Sequence, residues 1–157
     1  MIPGIALRTA TFGDLAFLHA LSEQAFGPYG DYSGVLPDWL ANPAVQTILA
    51  EEHADSRAVG FAMLGTRSPR RLSVGTGGEL LAIAVALDRR RQGIGRLLVE
   101  EIERRARAAK MRELRLSTAA SNLIARRLYT SLGFAVLSHY ARFYPSGQSA
   151  LEMAKRL

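Results

Sequence analysis

The 157-residue chain is 48% hydrophobic and 22% charged, a balance that predicts one globular domain, residues 1–157, with enough chain to bury a core. It has no cysteine, which excludes disulfides, thiolate metal ligands and a cysteine nucleophile, and no apolar run approaches the roughly 20 residues of a membrane span. The net charge of +6 is uneven: in residues 85–127, 12 Lys+Arg stand against 5 Asp+Glu, while the remainder is slightly acidic.

Residues Ile5–Thr9 read as a short strand. In residues 14–26, Leu15, Leu18, Leu21, Ala25 and Phe26 recur close to helical spacing. A loop rich in breakers follows, Gly27-Pro28-Tyr29-Gly30-Asp31-Tyr32, then a short helix over 34–40 that stops before Asn42-Pro43. Strands over 45–51 and 58–65 flank a polar turn and form a hairpin. Residues 66–78 read as a loop, and 79–87 as the next strand. A helix over 94–109 has apolar residues at 94, 97, 98, 102, 106 and 109. Glu100, Glu101, Glu103, Arg104, Arg105 and Arg107 are expected on its solvated side, with Glu100–Arg104 and Glu101–Arg105 as i,i+4 pairs. A strand over 114–118, a helix over 121–132 closed by Gly133, a strand over 134–144 and a last strand at Ala150–Arg156 complete the chain. This order predicts an α/β (α+β) fold with a mixed sheet, antiparallel in its first half and built from crossovers in its second.

The strand over 79–87 runs into Arg89-Arg90-Arg91 and then Gln92-Gly93-Ile94-Gly95 at a helix start. A helix N-terminus collects unpaired N–H groups and the positive end of the peptide dipoles, and small residues let an anion approach the backbone. The loop is therefore a candidate phosphate or pyrophosphate site. It is not a Walker loop, because no Gly-Lys-Ser/Thr follows, and position 98 is Leu where a dinucleotide fingerprint needs its third glycine. On the helix over 121–132, Asn122 and Tyr129 share a face about 10 Å apart. That spacing fits either a bracket around a polar ligand or a helix-terminal polar residue and a core aromatic.

Arg90-Arg91-Gln92-Gly93-Ile94-Gly95 resembles the Arg/Gln-x-x-Gly-x-Gly/Ala motif of the GNAT superfamily of N-acetyltransferases. Asn122-x-x-Ala125-x-x-Leu128-Tyr129-x-x-x-Gly133-Phe134 is similar to that family's next block, and the two lie in the family's order and spacing. The resemblance implies a GNAT fold of about six to seven strands and four helices, with acetyl-CoA as co-substrate. It implies that the backbone of Gln92, Gly93, Ile94, Gly95 and Arg96 holds the pyrophosphate, with charge from Arg90 and Arg91. It further implies that Ile83, Ala84 and Val85 pair with the pantetheine arm in a gap between splayed strands, and that Asn122 contacts that arm.

Acetyl transfer needs a neutral amine, and a free alkyl amine has a pKa near ~10.4, so a base must take its proton. The resemblance implies Tyr129 as general acid for the thiolate and Glu79 as base; Glu79 also fits a solvent-facing glutamate at a strand edge. A backbone N–H near Val85 would polarise the thioester oxygen. Direct attack in a ternary complex is expected, since a cysteine intermediate is impossible. Tyr29, Tyr32, His139 and Tyr144 are candidates for the acceptor side, with Trp39 able to line the pocket or simply pack. The segment from Arg142 to Met153 is weakly similar to the ending of the branch that acetylates protein N-termini, ribosomal proteins included. The acceptor is expected to be a small-molecule amine or a peptide α-amine. The expected protein is cytoplasmic, a monomer or homodimer, and works without metal, nucleic acid or membrane.

Overall fold

A computed structural model describes residues 1–67 and 76–157. In chain order the described elements are β1 (Ile5–Thr9), α1 (Leu15–Phe26), α2 (Leu36–Ala41), β2 (Gln46–Glu52), β3 (Ala58–Arg67), β4 (Thr76–Val85), α3 (Ile94–Ala108), β5 (Met111–Ala119), α4 (Leu123–Ser131), β6 (Ala135–Tyr140) and β7 (Ala150–Arg156). The strands form one sheet in the order β1-β2-β3-β4-β5-β7-β6, with β4–β5 the parallel pair and the other pairs antiparallel. The expected mixed sheet is thus observed, with α3 as the crossover between its parallel strands.

Neighbouring strand residues feed different cores, as the two-residue period of a strand requires. Ile48, Ala62, Leu64 and Leu80 pack with Ile94, Leu98, Val99 and Ile102 of α3, whereas Leu49, Phe61, Met63, Ala82 and Ala84 pack with Leu18, Leu21 and Leu36 from α1 and α2. Burying one such side chain is worth about 1.5–3 kcal/mol, so the two faces hold the helices firmly.

One irregularity positions the site. β4 pairs with β5 only from Thr76 to Leu80; beyond that, β4 stays with β3 as far as Val85 and β5 stays with β7 as far as Ala119. The two parallel strands therefore part at their C-terminal ends. At the parting lies a β-bulge: Leu64 pairs with Leu80 and Met63 with Ala82, leaving Leu81 as the extra residue. A bulge bends its strand and increases the local twist. Gly65 makes room for it, since a Cβ there would sit 2.8 Å from Leu81 Cδ1.

Several element bounds move from those expected, each for a local reason. Thr66 and Arg67 belong to β3 and residues 76–78 to β4, so the expected 66–78 loop is shorter; its remaining part lies outside the described residues. Gly78 reads as a breaker but is a packing requirement, because a Cβ there would lie 2.7 Å from Met111 Sδ. β4 ends at Val85, where Leu87–Arg89 form a 3-10 turn. Another 3-10 turn, Phe12–Asp14, precedes α1. β5 starts three residues earlier than expected, and β6 stops at Tyr140 ahead of Arg142, whose φ is 51°.

The polar side of α3 also differs from expectation. Glu103 is buried rather than solvated, its two carboxylate oxygens each accepting from Lys155 Nζ at 2.9 Å. Arg104 turns to Glu101, not Glu100, so that Glu101 accepts from both Arg104 and Arg105.

Candidate active site

The gap between β4 and β5 opens into a cleft of about 1280 Å³ whose walls come from α1, α2, β4, the loop into α3, β5, α4 and the segment before β7. Its chemistry changes along its length.

At the α3 end, the chain turns through left-handed conformations at Arg91 (φ 64°) and Gly93 (φ 86°). Gly93 is the N-cap of α3 and has no side chain to satisfy the helix's first N–H groups. The helical ladder begins with Leu97 N–H donating to the Gly93 carbonyl at 3.0 Å, which leaves the preceding N–H groups facing outward. Gly95 lies where α3 passes α4, and a Cβ there would make ordinary contact with Leu128 Cδ2 at 3.5 Å. Of the three consecutive arginines, Arg89 is tied to Glu52 and Asp88. By contrast, Arg90, Arg91, Arg96 and Arg127 line the cleft with no acidic partner within ion-pair distance among the described residues. Their chemistry is that of a polyanion site.

The parted strand supplies the next part. Ala86 N–H donates to the Val59 carbonyl at 2.7 Å, toward β3. By alternation, the N–H and C=O groups of Val85 and Ile83 turn the other way, into the gap. The Val85 carbonyl does accept from that side, from Arg90 Nε at 3.0 Å. A free strand edge inside a cleft is a template for an extended amide-bearing ligand.

Helix α4 ends in paired bonds, Phe134 N–H to the Tyr129 carbonyl at 3.0 Å and Gly133 N–H to the Thr130 carbonyl at 3.1 Å, with Gly133 at φ 95°. This is the Schellman geometry expected for Gly133, and it fixes Tyr129 beside Phe134 with ring centroids 5.9 Å apart. Tyr129 is 5% exposed and lines the cleft, and its hydroxyl has no hydrogen bond among the described residues. Burial raises its pKa above the ordinary tyrosine value, so the phenol stays protonated at neutral pH. Asn122, also a cleft residue, caps α4: its Oδ1 accepts from Ala125 N–H at 3.2 Å, while its amide NH₂ stays available to a ligand.

The other end is aromatic. Tyr29, Tyr32, Trp39, Phe143 and Tyr144 line it, with Glu79 from β4. Tyr29 and Tyr144 stack at 5.0 Å and Phe143 meets Tyr144 edge-on at 5.1 Å. Two backbone-directed bonds join the loops carrying them: Ser146 N–H to the Tyr29 carbonyl at 3.2 Å, and Gln148 Nε2 to the Pro28 carbonyl at 2.9 Å. Gly30 fits under Pro145, where a Cβ would sit 2.8 Å from Cγ. Burial first, and the neighbouring Tyr32 and Tyr29, push the Tyr144 phenol up to about 12.

The cleft thus gathers Glu79, Ile83, Ala84, Val85, Arg90, Arg91, Gly93, Ile94, Gly95, Arg96, Asn122, Tyr129, Tyr29, Tyr32 and Tyr144. Gln92 is exposed in the loop but is not a wall of the cleft. His139 is not brought there either: it is exposed on β6, the outermost strand, with β7 between it and β5. Sequence reasoning missed Ser117, Thr118 and Arg127. Ser117 and Thr118 follow once β5 is known to part from β4, and Arg127 falls at an unspecified position of the block from Asn122 to Phe134, with no motif to mark it. Among the described residues no group of His, Asp or Glu side chains is placed to hold a metal ion.

A family model described as "Acetyltransferase (GNAT) family" matches residues 15–134. No curated protein sequence matches the chain. Among solved structures, a ribosomal-protein-alanine N-acetyltransferase from Brucella melitensis is 26% identical, with 97% of this chain and 99% of that chain covered and a TM-score of 0.83. Arabidopsis thaliana NAA60 in complex with acetyl-CoA is 18% identical over 98% of each chain, with a TM-score of 0.84. A chain of the NatC complex bound to Gag peptide and CoA is 21% identical, covering 100% of this chain and 99% of that one, with a TM-score of 0.82.

Proposed function

The chain belongs to the acetyltransferase (GNAT) family, and we propose that it is an acetyl-CoA-dependent N-acetyltransferase that acetylates a primary amine, in particular a peptide α-amine, by direct attack within a ternary complex. The observation that carries this reading is the parting of β4 from β5, which joins a basic glycine-lined mouth to an aromatic end holding one carboxylate. The residues fit the co-substrate: its polyanionic head has a match in the α3 N-terminus and Arg90, Arg91 and Arg96, and its amide-bearing arm in the free edge of Ile83 and Val85.

When bound, acetyl-CoA supplies an acetyl group activated as a thioester. The chain's own residues do the rest. The first N–H groups of α3, with Gly93 and Gly95 leaving the backbone bare, hold the pyrophosphate. Ile83 and Val85 would pair with the arm, and their N–H groups would stabilise negative charge developing on the carbonyl oxygen. Asn122 donates its amide NH₂ to the arm. Glu79 takes the proton from the amine, directly or through water, and Tyr129 gives its phenolic proton to the departing sulfur. The strapped loops carrying Tyr29 and Tyr144 favour a slender chain end as acceptor, and a complex with a chain of this fold is described as bound to a peptide and CoA.

Incubation with acetyl-CoA and a panel of amines tests the reading. Thiol release that depends on an added amine is expected, together with thermal stabilisation by acetyl-CoA. Stabilisation with no release on any amine would leave only coenzyme binding and contradict the proposal.

A further inference from the structure

The two faces of the sheet reach the cleft differently, and that difference bears on the acceptor. Ile83 and Val85 pack toward the α3 core, while Leu81 joins Ala82 and Ala84 on the α1 and α2 side. The bulge is what places two successive residues, Leu81 and Ala82, on the same side. Glu79, one residue before Leu80, whose side chain belongs to the α3 core, is on the α1 and α2 side by alternation. The amine therefore approaches from the face that α1 and α2 cover.

That approach is walled by apolar carbon. Phe26, Leu36 and Trp39 come from α1 and α2, and Leu81 from β4, all lining the cleft. Phe26, Trp39 and Leu81 are only partly buried, so their exposed area is what a bound group can cover. Glu79 is the one carboxylate among the described lining residues. A single carboxylate with an apolar wall beside it suits a single amine with an apolar neighbour. A polycation needs several acidic contacts; a carboxylate pressed against Trp39 loses its water without gaining a partner, and an ammonium there gains only a ring face in exchange for its hydration.

We propose that the acceptor is a peptide α-amine whose first residue carries an uncharged apolar side chain, seated against Phe26, Trp39 and Leu81 with its amine at Glu79. This rests on the N-acetyltransferase reading above and narrows it. Trp39 is the specificity-determining residue, because it is the largest side chain in that wall and is carried by a short helix that borders the opening.

The experiment compares kcat/KM for peptides identical except at the first residue, Leu, Ala, Asp or Lys, with spermidine alongside. Leu is expected to exceed Ala by on the order of tenfold, and Asp and Lys by on the order of a hundredfold, the range that apolar fit and unpaired charge give an enzyme. Trp39→Ala is expected to collapse the Leu/Ala ratio toward unity through KM for the Leu peptide, with thermal stabilisation by acetyl-CoA retained. Trp39→Phe, which keeps an aromatic wall if the smaller variant folds poorly, restores part of the ratio. Preference for Asp, Lys or spermidine, or a Leu/Ala ratio unmoved by both variants, overturns this inference while leaving acetyl transfer intact. Absence of turnover on every amine contradicts the broader reading instead.

Discussion

Tyr129 packs its ring edge-on to Phe134 in the core while its hydroxyl lines the cleft without a protein partner among the described residues. Removing that hydroxyl breaks no hydrogen bond, so Tyr129→Phe is expected to change unfolding free energy by less than about 1 kcal/mol. Loss of a general acid typically costs about 10²-fold or more, so kcat should fall on that scale. The pH profile carries the sign: in the proposed mechanism the protonated phenol is the active form, and burial raises its pKa, so activity in the native protein is expected to persist as pH rises past the ordinary tyrosine value of ~10. A Tyr129→Phe variant with native kcat throughout that range would remove the acid from the mechanism. At this scale the sequence was legible where a motif or helical spacing spoke, as for Asn122 and Tyr129. It was not legible for Glu103, whose charge suggested solvent; the Lys155 that pairs with it comes from the other end of the chain. Nor did His139 betray its place on an edge strand, because β6 has no clean alternation to show which side faces the cleft.

The loop into α3 holds two glycines with different duties. Gly93 has φ 86°, so Gly93→Ala forces a left-handed conformation on a residue with a Cβ and is expected to cost about 1 kcal/mol, weakening acetyl-CoA binding with it. Gly95 lies in the first turn of α3, where a Cβ would make ordinary contact with Leu128. Gly95→Ala is therefore expected to keep native stability or gain up to about 1 kcal/mol from helix propensity, with coenzyme affinity reading out whether the bare backbone matters there. Denaturant midpoints and acetyl-CoA titrations of the two variants check this contrast. A second set of elements is tied by charge. Arg8 of β1 donates to Asp14, in the turn before α1, and to Glu51 of β2. The Arg8 hydrogen bonds hold the Asp14 carboxyl down to about 2. Its folded pKa lies below the unfolded one, so its stabilisation is full above about pH 4 and is lost as pH falls through about 2. Asp14→Asn should cost about 1–2 kcal/mol at neutral pH, discounted for the exposed Arg8 side chain, and should flatten the acid limb of stability. An unchanged acid limb in that variant would show that the pair contributes nothing.

Across the whole molecule, one parallel pair that separates gives the sheet two functions. Below Leu80 it is a closed wall; above it lies the gap through which, in the proposed reaction, donor and acceptor meet from opposite faces. The order of elements, and hence the mixed sheet, was legible because periodicity, breakers and helix signals agree along most of the chain. The bulge at Leu81 was not, since it sits in the apolar run Leu80-Leu81-Ala82, where no polar residue marks the face. The short α2 and the turn after β6 were misjudged by a few residues because their ends are set by tertiary contacts. In the proposed reaction the opposite approaches to one gap let both substrates be bound together, and the chain has no cysteine to carry the acetyl group between them. Initial velocities measured while varying acetyl-CoA and a leucine-initiated peptide, with the peptide product weighed by mass spectrometry, address this most directly. Intersecting reciprocal plots and a peptide heavier by one acetyl group on its α-amine are expected; parallel plots with an acetylated protein, or an unmodified peptide, would contradict it.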